Sequence, residues 1–152
     1  MISTREKFAK VFLADDDSDD VMMFSDALKE VSGETILTTA YDGQNLLEIL
    51  DNEVPPPPDV IFLDLNMPRK NGFECLTAIR STPKLQNIPV VIFSTSNRAD
   101  FVKKTFEEGA NQYICKPSTY AGLKNAIRSV LNIDWSQALP PASVEAFLKP
   151  GF

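Results

Sequence analysis

The side chains with the clearest chemical potential are acids that directly follow short apolar runs. Asp64 follows the run 60–63, and Asp15 and Asp16 follow the run 11–14. Short continuous apolar runs are typical of strands in a parallel sheet whose two faces are both covered. Because ligands of open α/β sheets bind beyond the carboxyl ends of the strands, these three acids are candidates for one site.

Two further strands are predicted to add a hydroxyl and an ammonium group to the same edge of the sheet. Ser94 follows the apolar run 88–93, and Lys116 follows the run 112–115. Carboxylates on neighbouring strand ends repel one another unless a cation lies among them, and Mg²⁺ favours carboxylate and phosphate oxygens. An aspartate can act as a nucleophile and form an aspartyl phosphate. Phosphoryl transfer needs mainly positioning and charge neutralisation, which this set of groups can supply.

The composition excludes several other kinds of site. The chain has no histidine, which excludes a Ser-His-Asp triad, a Cys-His pair and a zinc site with histidine ligands. Its net charge is -6 and its 15 Lys and Arg residues are scattered. Nucleic acids and anionic membranes attract basic patches. We therefore expect no nucleic-acid partner and no membrane partner.

The cysteine content and the hydropathy pattern indicate a cytoplasmic protein. Cys75 and Cys115 lie in apolar patterns without metal-ligand spacing, so we expect reduced thiols. No run reaches the roughly 18 apolar residues that a membrane-spanning helix needs. The N-terminus has no apolar segment typical of a secretory signal.

The elements that must position these groups alternate regularly along the 152 residues. Five strands are predicted, at 11–14, 35–40, 60–63, 88–93 and 112–115. Five helices are predicted between and after them, at 18–32, 44–52, 73–80, 99–108 and 120–131. This alternation predicts a single α/β domain with a parallel sheet and helices on both faces.

Two local features complete this prediction. Ser18 is the expected N-cap of the first helix, with Asp19 and Asp20 in its first turn, where the helix dipole favours anions. The tail 134–152 is too short for an output domain, so the chain divides into a domain at 1–133 and this tail. A short helix at 143–148, packed on the body or contacting a partner, is expected in the tail.

A set of residues along the chain forms a recognisable pattern: Asp15-Asp16, Asp64 within the segment 63–68 with Gly72 following, Ser94 after 89–93, and Tyr113 with Lys116-Pro117. In this pattern the chain resembles, over about residues 8–132, the receiver domain of two-component response regulators. The run 94–96 and the tail with Trp135 more narrowly resemble single-domain receivers that pair with phytochrome-type kinases. The resemblance implies a flavodoxin-like, doubly wound, five-stranded parallel sheet with strand order 2-1-3-4-5.

The resemblance also implies a role for each candidate residue. Asp64 would accept the phosphoryl group, and Lys116 would pair with the phosphoryl oxygens. Mg²⁺ would be bound by Asp64, by Asp16 directly, by Asp15 through water and by the backbone carbonyl of Asn66. Ser94 would move its hydroxyl onto the phosphoryl group, and Tyr113 would follow it inward and alter the face made by the fourth helix, fifth strand and fifth helix.

The implied partners are proteins. A sensor histidine kinase or a phosphotransfer protein would donate the phosphoryl group, and a downstream protein not identified by the sequence would read the switched face. A homodimer through that face is a further possibility that the resemblance raises. The chain would then be a phosphoacceptor that assists its own phosphorylation and dephosphorylation rather than an enzyme.

Two alternatives remain open at this point. A Mg²⁺-dependent phosphatase of the haloacid dehalogenase class also uses an aspartate nucleophile, and the segment 15–17 offers its Asp-x-Asp pattern. That class places the nucleophile on the first strand, whereas the isolated acid here follows the third. A flavin-binding module would need a Ser-, Thr- and Gly-rich loop after the first strand, where this chain has acids. For Tyr113, a packed core residue is the simpler alternative.

Overall fold

The predicted apolar runs form a parallel sheet in the computed structural model, which describes residues 9–149. The sheet contains six strands in the order β2-β1-β3-β4-β5-β6, and every neighbouring pair is parallel. The strands are β1 (Lys10–Ala14), β2 (Ile36–Ala40), β3 (Val60–Leu63), β4 (Val90–Ser94), β5 (Gln112–Cys115) and β6 (Leu148–Lys149). The predicted doubly wound parallel sheet with the order 2-1-3-4-5 is confirmed, and the C-terminal tail adds the two-residue strand β6 beside β5.

Helices cover both faces of the sheet, as predicted. They are α1 (Ser18–Val31), α2 (Gly43–Glu53), α3 (Gly72–Ser81), α4 (Ala99–Glu107), α5 (Tyr120–Leu131) and α6 (Val144–Phe147). One buried layer joins the sheet to α2, α3, α4 and α6, and the other joins it to α1 and α5. Successive strand residues therefore point into opposite layers: Phe12 and Ile61 into the first, and Leu13 and Phe62 into the second. This burial on both faces explains why the strands read as continuous apolar runs.

The start of α1 differs by one residue from the prediction. Asp17, not Ser18, is the N-cap: its backbone is extended, and its side chain accepts hydrogen bonds from the backbone N–H groups of Asp19 and Asp20. Ser18 is instead the first helical residue. The prediction failed because Asp and Ser cap helices about equally well, so composition alone does not separate adjacent positions. Asp19 and Asp20 lie in the first turn, as expected.

The C-terminal tail joins the sheet. The expected short helix is confirmed as α6, which Ser143 caps by accepting a hydrogen bond from the Ala146 backbone N–H. Phe147 is fully buried, and its ring centroid lies 5.5 Å from that of Phe106 and 6.1 Å from that of Tyr113. β6 then pairs with β5. With the five predicted strands alone, β5 would be an edge strand of the sheet. In the structure, the tail covers that edge of β5.

Two features of residues 9–149 relate to the hydropathy and cysteine patterns. No helix in this part of the chain combines the length and the apolar character needed to cross a bilayer. Cys75 and Cys115 are free thiols, and Cys75 is buried.

Candidate functional site

Polar side chains meet where four parallel strands end. Ala14 of β1 lies opposite Leu63 of β3, so the acids that follow these two residues are neighbours. The backbone N–H of Asp64 donates to the Ala14 carbonyl over 3.0 Å, and that of Lys116 donates to the Ser94 carbonyl over 2.8 Å. These bonds extend the sheet by one residue beyond its strands and fix the positions from which the functional side chains project.

Three of the predicted acids form a compact oxygen cluster. Carboxylate oxygens of Asp15, Asp16 and Asp64 lie within 4.8 Å of one another. Asp15 and Asp64 are buried, whereas Asp16 is exposed and leaves the cluster accessible from solvent. Hard oxygen ligands with an open side suit Mg²⁺, which retains several waters in proteins. The residues therefore fit the divalent cation that the sequence predicted.

Lys116 is held by three carboxylates. Its Nζ lies 2.7 Å from Asp15 Oδ2, 2.9 Å from Asp20 Oδ2 and 3.3 Å from Asp64 Oδ2. Burial alone would lower the pKa of Lys116, but its hydrogen bonds to Asp15 and Asp20 and the charge of Asp64 more than offset this, and the pKa is raised. The side chain therefore remains an ammonium ion next to Asp64.

Asp20 is the site residue that the sequence missed. Its expected role was a favourable interaction with the helix dipole, and nothing in the sequence distinguished it from Asp19. The two side chains leave the helix about 100° apart, and only that of Asp20 reaches Lys116 among the described ion pairs. Its position in the first turn of the helix after β1 is a signal that Asp19 shares, so the sequence alone could not have singled it out.

The protonation of Asp64 depends on its surroundings. Burial raises its pKa from 3.8 to about 6; the Asp15 charge adds to this effect, and Lys116 opposes it. The Asn66 backbone N–H also donates a long, 3.4 Å hydrogen bond to Asp64 Oδ1. A cation in the acidic cluster would favour the ionised form of Asp64, which is the form that can act as a nucleophile.

The loop after β3 can approach Asp64 only because residue 72 is glycine. A Cβ atom at Gly72 would lie 2.3 Å from the Asp64 carbonyl oxygen and 2.7 Å from Leu65 Cα. The Gly72 backbone N–H donates to the Leu65 carbonyl over 3.0 Å. Gly72 thus lets α3 begin directly behind the acid. The contact of the Asn66 carbonyl with a metal stays a prediction.

Ser94 and Tyr113 are joined through Ser96. The Ser96 backbone N–H donates to the Ser94 hydroxyl oxygen over 3.2 Å, and the Tyr113 hydroxyl donates to the Ser96 carbonyl over 2.6 Å. Ser94 and Tyr113 are both buried, and burial raises the pKa of Tyr113 to about 12, so its hydroxyl keeps its proton. Tyr113 is therefore a packed core residue that also contacts the loop following Ser94.

Sequence comparison identifies the family. Residues 11–128 match the family model of the response regulator receiver domain. The chain is 31% identical over 124 residues to the response regulator Rcp1 of Synechocystis sp., an alignment that covers 79% of this chain and 84% of Rcp1. It is 30% identical to a probable chemotaxis protein CheY of Rhizobium etli, covering 85% of this chain and 96% of that protein.

Solved structures agree with this assignment. The phosphorylated cyanobacterial phytochrome response regulator RcpA is 31% identical, with a TM-score of 0.78 over 90% of this chain and all of RcpA. The Mn²⁺-bound form of Rcp1 is 28% identical, with a TM-score of 0.74 over 88% of this chain and 99% of that one. These comparisons give no support to the haloacid dehalogenase phosphatase. The chain belongs to the response regulator receiver domain family and is a receiver of two-component signal transduction.

Proposed function

We propose that Asp64 accepts a phosphoryl group from the phosphohistidine of a sensor histidine kinase or a phosphotransfer protein, in a reaction that depends on Mg²⁺. The observation that carries this assignment is the position of the buried Asp64 carboxylate, which lies in the three-acid cluster and 3.3 Å from the Lys116 ammonium group. The cyanobacterial phytochrome relative further supports a phytochrome-type kinase as the donor.

The transfer is a displacement at phosphorus. An Asp64 carboxylate oxygen forms the new bond to phosphorus, the phosphorus–nitrogen bond of the phosphohistidine breaks, and the electron pair leaves with the imidazole nitrogen. Asp15, Asp16, Asp64 and the Asn66 backbone carbonyl would hold Mg²⁺, which neutralises phosphoryl charge when it is bound. Lys116 supplies the protein's own positive charge to the phosphoryl oxygens.

The switch follows from the contacts of Ser94. When its hydroxyl turns to donate to a phosphoryl oxygen, it gives up its place beside the Ser96 backbone N–H. The same residue, Ser96, accepts the Tyr113 hydrogen bond through its carbonyl. We propose that this shared residue transmits the change from Asp64 to Tyr113 and to the face formed by α4, β5 and α5, where a downstream protein binds.

The tail belongs to this proposed output surface. We propose that residues 1–133 form the receiver and that residues 134–152 act as its tail rather than as an output domain. The packing of Phe147 against Tyr113 supports this division of roles. A homodimer through α4, β5 and α5 would have to contact α6 and β6, because β6 occupies the edge of β5.

We propose that the protein is a phosphoacceptor that assists its own phosphorylation and dephosphorylation, and that it turns over no other substrate. The free cysteines Cys75 and Cys115 support a reducing, cytoplasmic location.

Incubation with acetyl phosphate and Mg²⁺, followed by mass spectrometry, tests the acceptor. We expect the parent protein to gain one phosphoryl group and Asp64→Asn to gain none. Asp19→Asn, which removes an exposed acid near the site, is the matched control and should be modified as the parent is. Modification of Asp64→Asn at another acid would show that the acceptor assignment is wrong.

A further inference from the structure

Asp20 shares the ammonium group that the phosphoryl group needs. We propose that Asp20 is a positioning residue that competes with the Asp64 phosphoryl group for Lys116 and thereby shortens the life of the phosphorylated state. The proposal rests on the function proposed for the same site. It starts from the 2.9 Å contact between Asp20 Oδ2 and Lys116 Nζ.

The surroundings of Asp20 differ from those of the other two acids that contact Lys116. Asp15 and Asp64 both belong to the oxygen cluster suited to a cation, whereas Asp20 is not part of it. A cation in that cluster would engage Asp15 and Asp64 and would leave Asp20 as the counter-ion of Lys116. Asp20 can therefore hold the lysine towards α1 when the other two acids are occupied.

The local backbone keeps Asp20 in this position. The side chain of Asp17 accepts hydrogen bonds from the backbone N–H groups of both Asp19 and Asp20, which fixes the first turn of α1. The Lys116 side chain is only 11% exposed, whereas that of Asp20 is 40% exposed. Asp20 thus reaches inward from the rim of the site to a nearly buried cation.

The competition follows from the charges involved. A phosphoryl group on Asp64 carries nearly two negative charges in place of the single charge of the carboxylate, so the acidic end of the sheet becomes more negative. To form a close pair with it, the Lys116 ammonium group must share or give up its bond to Asp20. A partly exposed ion pair is worth less than about 1 kcal/mol, so its removal should change affinities by roughly two- to fivefold.

Beryllofluoride, which mimics the phosphoryl group on an aspartate, tests this inference. In saturating Mg²⁺, Asp20→Asn should bind beryllofluoride about threefold more tightly than the parent and should lose its phosphoryl group correspondingly more slowly. Asp19→Asn removes the same charge from the same helical turn and should match the parent. Asp20→Glu, which restores the carboxylate, should return both values towards those of the parent.

The dependence of beryllofluoride affinity on ionic strength distinguishes an ion-pair role of Asp20 from a purely structural one. Because salt screens a partly exposed ion pair, the difference between Asp20→Asn and the parent should narrow as salt is added. The role of Asp20 would be overturned if Asp20→Asn bound beryllofluoride as tightly as Asp19→Asn does, or more weakly than the parent. It would also be overturned if the difference in beryllofluoride affinity followed the Mg²⁺ affinity alone. Failure of the folded parent to bind beryllofluoride at all would overturn the proposed acceptor itself.

Discussion

At the scale of single residues, the buried Asp64 carboxyl makes stability depend on pH. Its pKa is about 6 in the folded protein and 3.8 in the unfolded chain. Between these values the folded state binds more protons than the unfolded state, so the free energy of unfolding falls as the pH rises. The protonated Asp64 carboxyl therefore contributes fully to the free energy of unfolding below its unfolded-state pKa of 3.8, and this contribution is lost above about pH 6. Its upper limit is about 3 kcal/mol.

Denaturant unfolding in metal-free buffer between about pH 4 and about pH 7 measures this effect. Asp64→Asn should lose this component of the pH dependence and should be more stable than the parent near neutral pH. Asp19→Asn should retain the component, because Asp64 is intact. If the parent instead became more stable relative to Asp64→Asn as the pH rose from about 4 to about 7, burial would not be raising the pKa of Asp64. Added Mg²⁺ should stabilise the parent, because it binds the ionised, folded form.

The sequence indicated the site residues that follow strands, but it did not show the contact of Asp20 with Lys116 or the contribution of the Ser96 backbone. Asp15, Asp64 and Lys116 each end an apolar run, so their convergence follows from the parallel sheet alone. Asp20 depends on the exact rotation of the first helical turn. Ser96 takes part through its backbone N–H and carbonyl groups, which every residue other than proline has.

At the scale of elements, the small α6–β6 unit is anchored by one fully buried residue, Phe147. Phe147 is fully buried between Phe106 and Tyr113. The strand that it introduces has only two residues, too few to show the alternation or apolar run that identifies strands. The five long strand–helix units were predictable because each carries its own hydrophobic pattern. β6 was not, because its position is set by the packing of Phe147.

Truncation of this anchor should weaken the fold measurably. Phe147→Ala leaves a cavity beside two aromatic rings and should lower the free energy of unfolding by about 3 kcal/mol. Leu139→Ala is the matched control from the same tail; Leu139 is 87% exposed, and the change should have little effect. Denaturant midpoints at equal m-values give the comparison. Equal midpoints for Phe147→Ala and the parent would show that the tail adds no stability.

At the scale of the whole molecule, a continuous set of contacts runs from Ser94, at the end of β4, to the tail. Ser94 contacts Ser96, Ser96 contacts Tyr113, and the Tyr113 ring packs on Phe147. Packed interiors change between discrete arrangements rather than deforming gradually, so a displaced Tyr113 cannot leave Phe147 undisturbed. The phosphoryl group and the tail should therefore influence each other, and by equal amounts of free energy.

Hydrogen exchange measured by mass spectrometry tests this coupling. In the parent, beryllofluoride with Mg²⁺ should speed amide exchange in α6 and β6, because movement of the Tyr113 ring removes part of the surface on which Phe147 packs. Tyr113→Phe keeps the ring but lacks the hydroxyl that donates to Ser96. It should bind beryllofluoride and yet show a smaller change in the tail. If beryllofluoride left amide exchange in α6 and β6 of the parent unchanged, the proposed coupling would be wrong, because the packing of Phe147 would then not depend on the state of Asp64.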